Sequence, residues 1–110
     1  MARVSTIGTH CTTVRNSIDL VNPDRGTITH VTYHSTDVVV FDDLSVKLDN
    51  GGYWTATTKT RMNQAANQFG LGFQVYQYKK QWFVDTPTQE AVPFDPQGRI
   101  EFRRIKFQRN

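Results

Sequence analysis

Helical periodicity occurs at a single place in this 110-residue sequence, and this limits the fold more than any other feature. Four apolar residues stand at positions i, i+3, i+4 and i+7, as the residues on one helix face do: Met62, Ala65, Ala66 and Phe69. Thr55 or Thr57 can cap the start of this helix by accepting a hydrogen bond from a backbone N–H, and Gly70 can end it. We therefore predict one helix over about residues 56–69.

The segment before the helix has the two-residue apolar period of strands with one buried face, beginning at Ile28. Val38 to Phe41 form an apolar run rich in β-branched residues. A turn at Asp42-Asp43 and renewed alternation follow, so this part of the chain predicts a hairpin. Residues 1–27 contain one weak apolar pair, and we expect them to form an arm or an edge strand.

The strand period returns after the helix. Residues 73–84 alternate on both sides of a turn at Lys79-Lys80-Gln81, which predicts a second hairpin. The last strand runs from Ile100 to Phe107. Its apolar phase shifts by one residue at Arg103-Arg104, as a β-bulge would produce.

The order of these elements, βββαβββ, predicts an α+β fold in one domain of residues 1–110. The helix should pack on one face of a small, mostly antiparallel sheet of about five to six strands. The alternative is a small curled barrel with the helix inside it. Both arrangements place the apolar helix face against the apolar strand faces.

The charge of the chain is concentrated in its second half. Thirteen basic and ten acidic side chains give a formal charge of +3, but residues 58–110 carry nine of the basic and four of the acidic groups. An acidic partner, nucleic acid above all, fits this distribution, and a solvated basic tail explains it equally. No apolar run approaches the ~18 residues of a membrane span. We expect the protein to stay in the cytoplasm of the cell that makes it and to make no membrane contact.

Metal binding and catalysis have little support in the sequence. The candidate metal ligands are His10, Cys11, His30, His34 and Asp37. His30 and His34 would lie on one face of a strand but roughly 13 Å apart, which is too far for one ion. No serine lies in a nucleophile-elbow motif, and Gly51-Gly52 precedes aromatic residues instead of the lysine of a phosphate loop. We expect no enzyme activity, metal or cofactor.

A binding surface has more support. Tyr76 and Tyr78 alternate with Val75, so they should face away from the helix, where aromatic rings can stack on bases. The alternative is that they pack under the N-terminal arm or in a homo-oligomer interface. Lys59 and Arg61 lie near the helix start, where the dipole disfavours cations, so they suit an anionic partner or an ion pair with an aspartate. The complete candidate set is Lys59, Arg61, Tyr76, Tyr78, Lys79, Arg103, Arg104 and Lys106.

The stretch Asn50-Gly51-Gly52-Tyr53-Trp54, continuing through Thr55-Ala56-Thr57-Thr58-Lys59-Thr60-Arg61-Met62-Asn63-Gln64, resembles a family of short uncharacterised proteins of tailed bacteriophages and related viruses. The segments Tyr33 to Val39, Val75-Tyr76-Gln77 and Trp82-Phe83-Val84 look like the same family. The resemblance spans about residues 33–84. Tyr53 stands where the family pattern leads us to expect tryptophan.

The resemblance implies a viral origin and expression inside an infected microbe. Small accessory phage proteins often bind nucleic acid or a host protein, which is an analogy of class and not of site. The leading hypothesis is therefore a non-enzymatic module that binds DNA or RNA. The alternatives are a protein-binding inhibitor of a host defence or regulatory complex, and a structural component of the virion.

Overall fold

One helix and eight strands make up the part of the chain that the structure, a computed structural model, describes: residues 12–18, 20, 21, 24 and 26–104. The elements are β1 (Thr12–Ile18), β2 (Thr27–Tyr33), β3 (Thr36–Phe41), β4 (Ser45–Asp49), α1 (Ala56–Phe69), β5 (Gln74–Tyr78), β6 (Gln81–Asp85), β7 (Val92–Pro93) and β8 (Arg99–Arg103). The predicted α+β class is confirmed. β1 and the short β7 extend the expected order.

The strands form two antiparallel sheets, where one sheet had been expected. The larger sheet has the order β1-β2-β3-β4-β8, and the smaller one has the order β5-β6-β7. The last long strand, β8, returns to β4 and places Ile100 and Phe102 opposite Leu48 and Val46. Alternation identifies which strand face is buried but carries no information on which strands pair, so the division into sheets was not visible in the sequence.

The helix has the predicted ends. The Thr55 hydroxyl accepts a hydrogen bond from the Thr58 N–H, and Gly70 ends the helix with φ at 64°. Met62, Ala65 and Ala66 are buried. The helix therefore supplies one apolar face to a core that both sheets complete, with Val31, Val39, Val46 and Leu48 from the larger sheet and Val75, Trp82 and Val84 from the smaller one.

A β-bulge interrupts the pairing of β2 with β3. Val31 pairs with Val39, but the next residue of β2, Thr32, pairs with Asp37, so Val38 is the extra residue. Both Val38 and Val39 are consequently buried although they are neighbours in the sequence. At the predicted bulge site, β8 keeps a regular register as far as Arg103, and the residues after Arg104 lie outside the described part.

The loop between β4 and α1 is held by the buried side chain of Asn50. Its carbonyl oxygen Oδ1 accepts a hydrogen bond from the Gly52 N–H at 2.8 Å, and the Asn50 N–H donates to the Gly98 carbonyl at 2.9 Å. A Cβ at Gly98 would collide with the Asn50 amide. The glycine pair of the phage-like stretch thus belongs to a turn that is locked against the loop before β8.

The side chain of Asn63 joins α1 to the smaller sheet. Its Nδ2 donates to the Val75 carbonyl at 2.9 Å, and its Oδ1 accepts from the Val75 N–H at 2.7 Å. These are the hydrogen bonds that a neighbouring strand would make, so the amide completes the edge of β5 that β6 does not cover. The helix and the β5-β6 hairpin are therefore held in one relative position.

Replacing Asn63 with alanine should destabilise the protein by roughly 2 kcal/mol, because the N–H and C=O of Val75 both lose their partner. The free energy of unfolding, measured by urea denaturation, tests this. Asn67→Ala is the matched control, since Asn67 is exposed one turn further along the same helix. Equal losses in the two variants would contradict the role assigned to Asn63.

Candidate functional site

The outer face of the β5-β6 hairpin carries three aromatic side chains. Tyr76 and Phe83 are paired across the strands, with ring centroids 5.8 Å apart and planes 24° from parallel. Tyr78 follows on the same face and is 60% exposed. As the alternation predicted, both tyrosines lie on the other face of β5 from the buried Val75. We call this surface, with the turn at its tip, the hairpin face.

Two lysines form the tip of the hairpin face. Lys79 and Lys80 are the two turn residues between β5 and β6, and both have positive φ, at 51° and 67°. A two-residue turn with positive φ at both positions matches the right-handed twist of the two strands that it connects. Both lysines are exposed, and the Lys79 ammonium lies 5.4 Å from the centre of the Tyr78 ring. A cation and an accessible aromatic ring are thus adjacent.

The opposite end of the hairpin face is acidic. The Tyr76 hydroxyl donates to Oδ1 of the Asp85 carboxylate at 3.2 Å. Asp85 Oδ1 also accepts a hydrogen bond from the Ala91 N–H at 2.8 Å. Burial, this hydrogen bond and the negative charges of Asp85 and Glu90 raise the pKa of Tyr76 above its ordinary value. Tyr76 is therefore a fixed, protonated phenol, whereas Tyr78 presents its ring to solvent.

The two predicted helix cations contact neighbouring side chains of this chain. The Lys59 ammonium donates to the Gln77 side-chain carbonyl at 3.0 Å and lies 5.1 Å from the Trp82 ring centre. The Arg61 guanidinium donates to Gln64 at 3.2 Å and lies 5.5 Å from the Tyr33 ring. These contacts give both residues a structural role.

The basic residues at the end of β8 are separate from the hairpin face, because they belong to the larger sheet. Arg104 donates to the Asp42 carbonyl at 3.0 Å and its guanidinium lies 5.3 Å from the Phe41 ring, so it closes the β3-β4 turn. Arg103 is exposed opposite Ser45. Lys106 lies outside the described residues. The structure therefore brings together Tyr76, Tyr78 and Lys79 of the eight predicted residues, and it adds Lys80 and Phe83.

A second group of polar side chains lies on the outer face of the larger sheet. Two of its members, His30 and Asp37, were candidate metal ligands in the sequence, but the group itself was not predicted. Its members, which we call the polar cluster, are Arg15, Ser17, His30, Thr32 and Asp37. The strand registers bring them together. Arg15 pairs with His30 across β1 and β2, and the bulge turns Asp37 toward this face opposite Thr32. The available signal in the sequence was the two-residue spacing of Arg15 from Ser17 and of His30 from Thr32, which places each pair on one strand face. The sequence predicts residues 1–27 only as an arm or edge strand, so it gives no register that would bring the two pairs together.

Asp37 is the centre of the polar cluster. Its carboxylate accepts from Thr32 Oγ1 at 2.5 Å and from Arg15 Nη2 at 3.0 Å, and it lies 3.2 Å from His30 Nδ1. Burial by itself favours the protonated acid. The hydrogen bonds from Thr32 and His30 and the charges of Arg15 and His30 together outweigh burial, and the pKa of Asp37 is lowered.

The expected arrangement of the two histidines is wrong. β2 ends at Tyr33, and His34 lies in the following turn with φ at 57°, so the histidines do not share a strand face. No group of three or more metal-ligating side chains occurs among the residues that the structure describes, and His10 and Cys11 lie outside them. Within the same residues, no helix has the length and apolar character to cross a membrane.

The comparison with protein families identifies the origin of the chain. The family model of the Kyanoviridae Gp96 protein matches residues 2–102. The chain belongs to this family. The Kyanoviridae match confirms the phage origin that the sequence resemblance implied, and it extends beyond residues 33–84 to include β1 and all but the last residue of β8. None of the curated proteins and none of the solved structures matches the chain.

Asp37→Asn should lower stability by about 1 kcal/mol at neutral pH, because a charged acceptor of three side chains is lost at a partly exposed site. The folded-state pKa is below the unfolded value, so the carboxylate stabilises the protein above about pH 4 and this contribution disappears as the pH falls through the folded-state pKa. Denaturation curves of the wild type and the variant should therefore converge in acid. A constant difference from pH 7 to pH 2 would contradict this.

Proposed function

We propose that the protein is an accessory phage protein that binds single-stranded nucleic acid on the hairpin face, in the cytoplasm of the infected cell. The observation that carries the proposal is the exposed Tyr78 ring beside the stacked Tyr76-Phe83 pair, with Lys79 and Lys80 at the tip. Aromatic rings on an open sheet offer stacking surfaces to unpaired bases, and this interaction accepts every base.

The charges of the hairpin face favour one orientation of the bound nucleic acid strand. Lys79 and Lys80 provide cations for phosphates at the tip, whereas Asp85 and Glu90 repel phosphates at the other end. The nucleic acid backbone should therefore pass the lysines, with its bases directed along the aromatic rings. An exposed carboxylate such as Glu90 can accept a hydrogen bond from the amino group of cytosine or adenine.

The contacts within the chain reduce the predicted binding set. Lys59, Arg61 and Arg104 are used in hydrogen bonds and ring contacts, so their removal should lower stability more than affinity. The residues that remain for the ligand are Tyr78, Lys79, Lys80 and the partly exposed Phe83 and Tyr76. This set is small, and we expect moderate affinity with a weak sequence preference.

Tyr78→Ala should lower the affinity for short single-stranded DNA or RNA by about 5- to 100-fold, because a base loses its stacking partner. Fluorescence anisotropy with labelled oligonucleotides measures this. Tyr53→Ala is the matched control, since Tyr53 is 61% exposed but lies in the loop before α1. The wild-type affinity should fall steeply between roughly 50 and 200 mM salt.

The salt dependence tests the role of the lysines separately. Lys79→Ala and Lys80→Ala should each reduce the slope of log affinity against log salt by about one, as loss of a phosphate contact requires. Lys47→Ala should leave the slope unchanged, because Lys47 is exposed on the larger sheet. Undetectable binding at low salt, or equal effects of the tyrosine variant and its control, would overturn the proposal.

A second candidate function is inhibition of a host protein complex, and an aromatic groove favours it. The groove has a volume of about 420 Å³ and is lined by Trp54, Lys80, Gln81, Trp82, Pro93, Phe94, Asp95 and Pro96. Trp54 is 44% exposed and contacts the buried Trp82 edge to face, with ring centroids 5.3 Å apart. An exposed tryptophan above a rigid aromatic base is typical of residues that dominate protein interfaces.

This second function predicts a partner that depends on Trp54. Tagged protein should retain one stoichiometric host protein from a nuclease-treated lysate, Trp54→Ala should lose it, and Tyr78→Ala should retain it. If Tyr78→Ala loses the captured protein and Trp54→Ala retains it, or if nuclease treatment releases it, nucleic acid binding is the favoured function. If mass spectrometry of purified particles finds the protein as a stoichiometric component, a structural role in the virion replaces both proposals.

A further inference from the structure

The polar cluster places a hydroxyl, an imidazole and a carboxylate in series. Ser17 Oγ lies 3.0 Å from His30 Nε2, and His30 Nδ1 lies 3.2 Å from Asp37 Oδ2. These are the contacts through which a serine hydrolase removes the hydroxyl proton and holds the imidazole in place. We propose that Ser17 is an activated nucleophile that accepts an acyl group from activated esters, with His30 as its base and Asp37 as a positioning residue.

The hydrogen bonds around Asp37 select the imidazole tautomer. An ionised carboxylate only accepts hydrogen bonds, so His30 Nδ1 donates to it and the lone pair of Nε2 is directed at the Ser17 hydroxyl. Thr32 and Arg15 donate to the same carboxylate and keep it ionised and oriented. The depressed pKa of Asp37 agrees with this arrangement.

The strands position the three groups without a specialised loop. Ser17 and His30 belong to β1 and β2, whose register is regular through seven residue pairs, and the bulge in β3 supplies Asp37. Among the described strands, β1 is at the edge of its sheet and pairs with β2 alone, so an ester can approach Ser17 from the other side of β1. The His30 side chain is 18% exposed and that of Asp37 is 32% exposed, so solvent weakens their interaction only in part.

The acylation step balances with the groups that are present. Ser17 Oγ forms a bond to the ester carbonyl carbon while His30 Nε2 takes the hydroxyl proton. When the tetrahedral adduct collapses, the bond from carbon to the leaving oxygen breaks, and that oxygen takes the proton from His30.

Water completes the cycle. A water molecule attacks the acyl-serine, its proton passes through His30 to Ser17 Oγ, and the carboxylic acid leaves. Because Ser17 and Asp37 are only partly buried, the site does not exclude bulk water, and we expect slow turnover and a reaction limited to esters with good leaving groups. The covalent acyl-Ser17 adduct is therefore a more direct sign of this chemistry than the rate of hydrolysis.

The test uses the full-length protein and p-nitrophenyl acetate. Release of p-nitrophenolate should accompany transfer of one acetyl group, and peptide mapping should place that group on Ser17. Ser17→Ala should remove the adduct, and His30→Gln should slow acylation about 100-fold, as loss of a general base does. Ser35→Ala and His34→Gln are matched controls from the exposed β2-β3 turn and should react as the wild type does.

The positioning role of Asp37 and the fold of the variants need their own readouts. Asp37→Asn should lower the acylation rate about tenfold or more, and Asp37→Glu should recover part of it, whereas a purely structural carboxylate would show no such recovery. A fluorophosphonate should block the acetylation of the wild type, which requires no variant. Acetyl transfer to lysines alone, or equal labelling of Ser17 in wild type and His30→Gln, would overturn the proposal. Neither result depends on nucleic acid binding.

Discussion

The two hydrogen bonds between Asn63 and Val75 are the link on which the arrangement of this protein depends. The helix α1 packs against both sheets, and its apolar face alone would leave the smaller sheet free to slide, because hydrophobic contact has no preferred direction. The asparagine amide pairs with the free edge of β5 as a strand would. Directional bonds at one residue therefore set the angle between the helix and the hairpin face.

Because the inner faces of both sheets are used by the core, the hairpin face and the polar cluster both lie on outer faces. The smaller sheet presents aromatic rings and lysines, and the larger sheet presents the polar cluster. The two surfaces belong to different strands and share no residue. A chain of 110 residues can thus present two separate surfaces to solvent, because the outer strand faces are not needed for the core.

Local periodicity was sufficient for the helix, for the hairpins on either side of it and for the outward direction of the side chains on the hairpin face. The spacing of Met62, Ala65 and Ala66 predicted the helix, and alternation around Lys79 predicted the hairpin and the outward direction of Tyr76 and Tyr78. The cations were predicted less well. The sequence does not distinguish a basic side chain that is exposed to solvent from one that, like Arg104, donates to a backbone carbonyl of a distant residue.

The sequence by itself determined the α+β class, the ends of the helix and the buried face of the regularly alternating strands, because these follow from contacts between residues near one another in the chain. Only the tertiary structure decided the division into two sheets and the meeting of Ser17, His30 and Asp37. That meeting depends on the register of β1 against β2 and on the bulge at Val38. A shift of one residue in either pairing would send these side chains to the opposite face, and the sequence pattern around them would be the same.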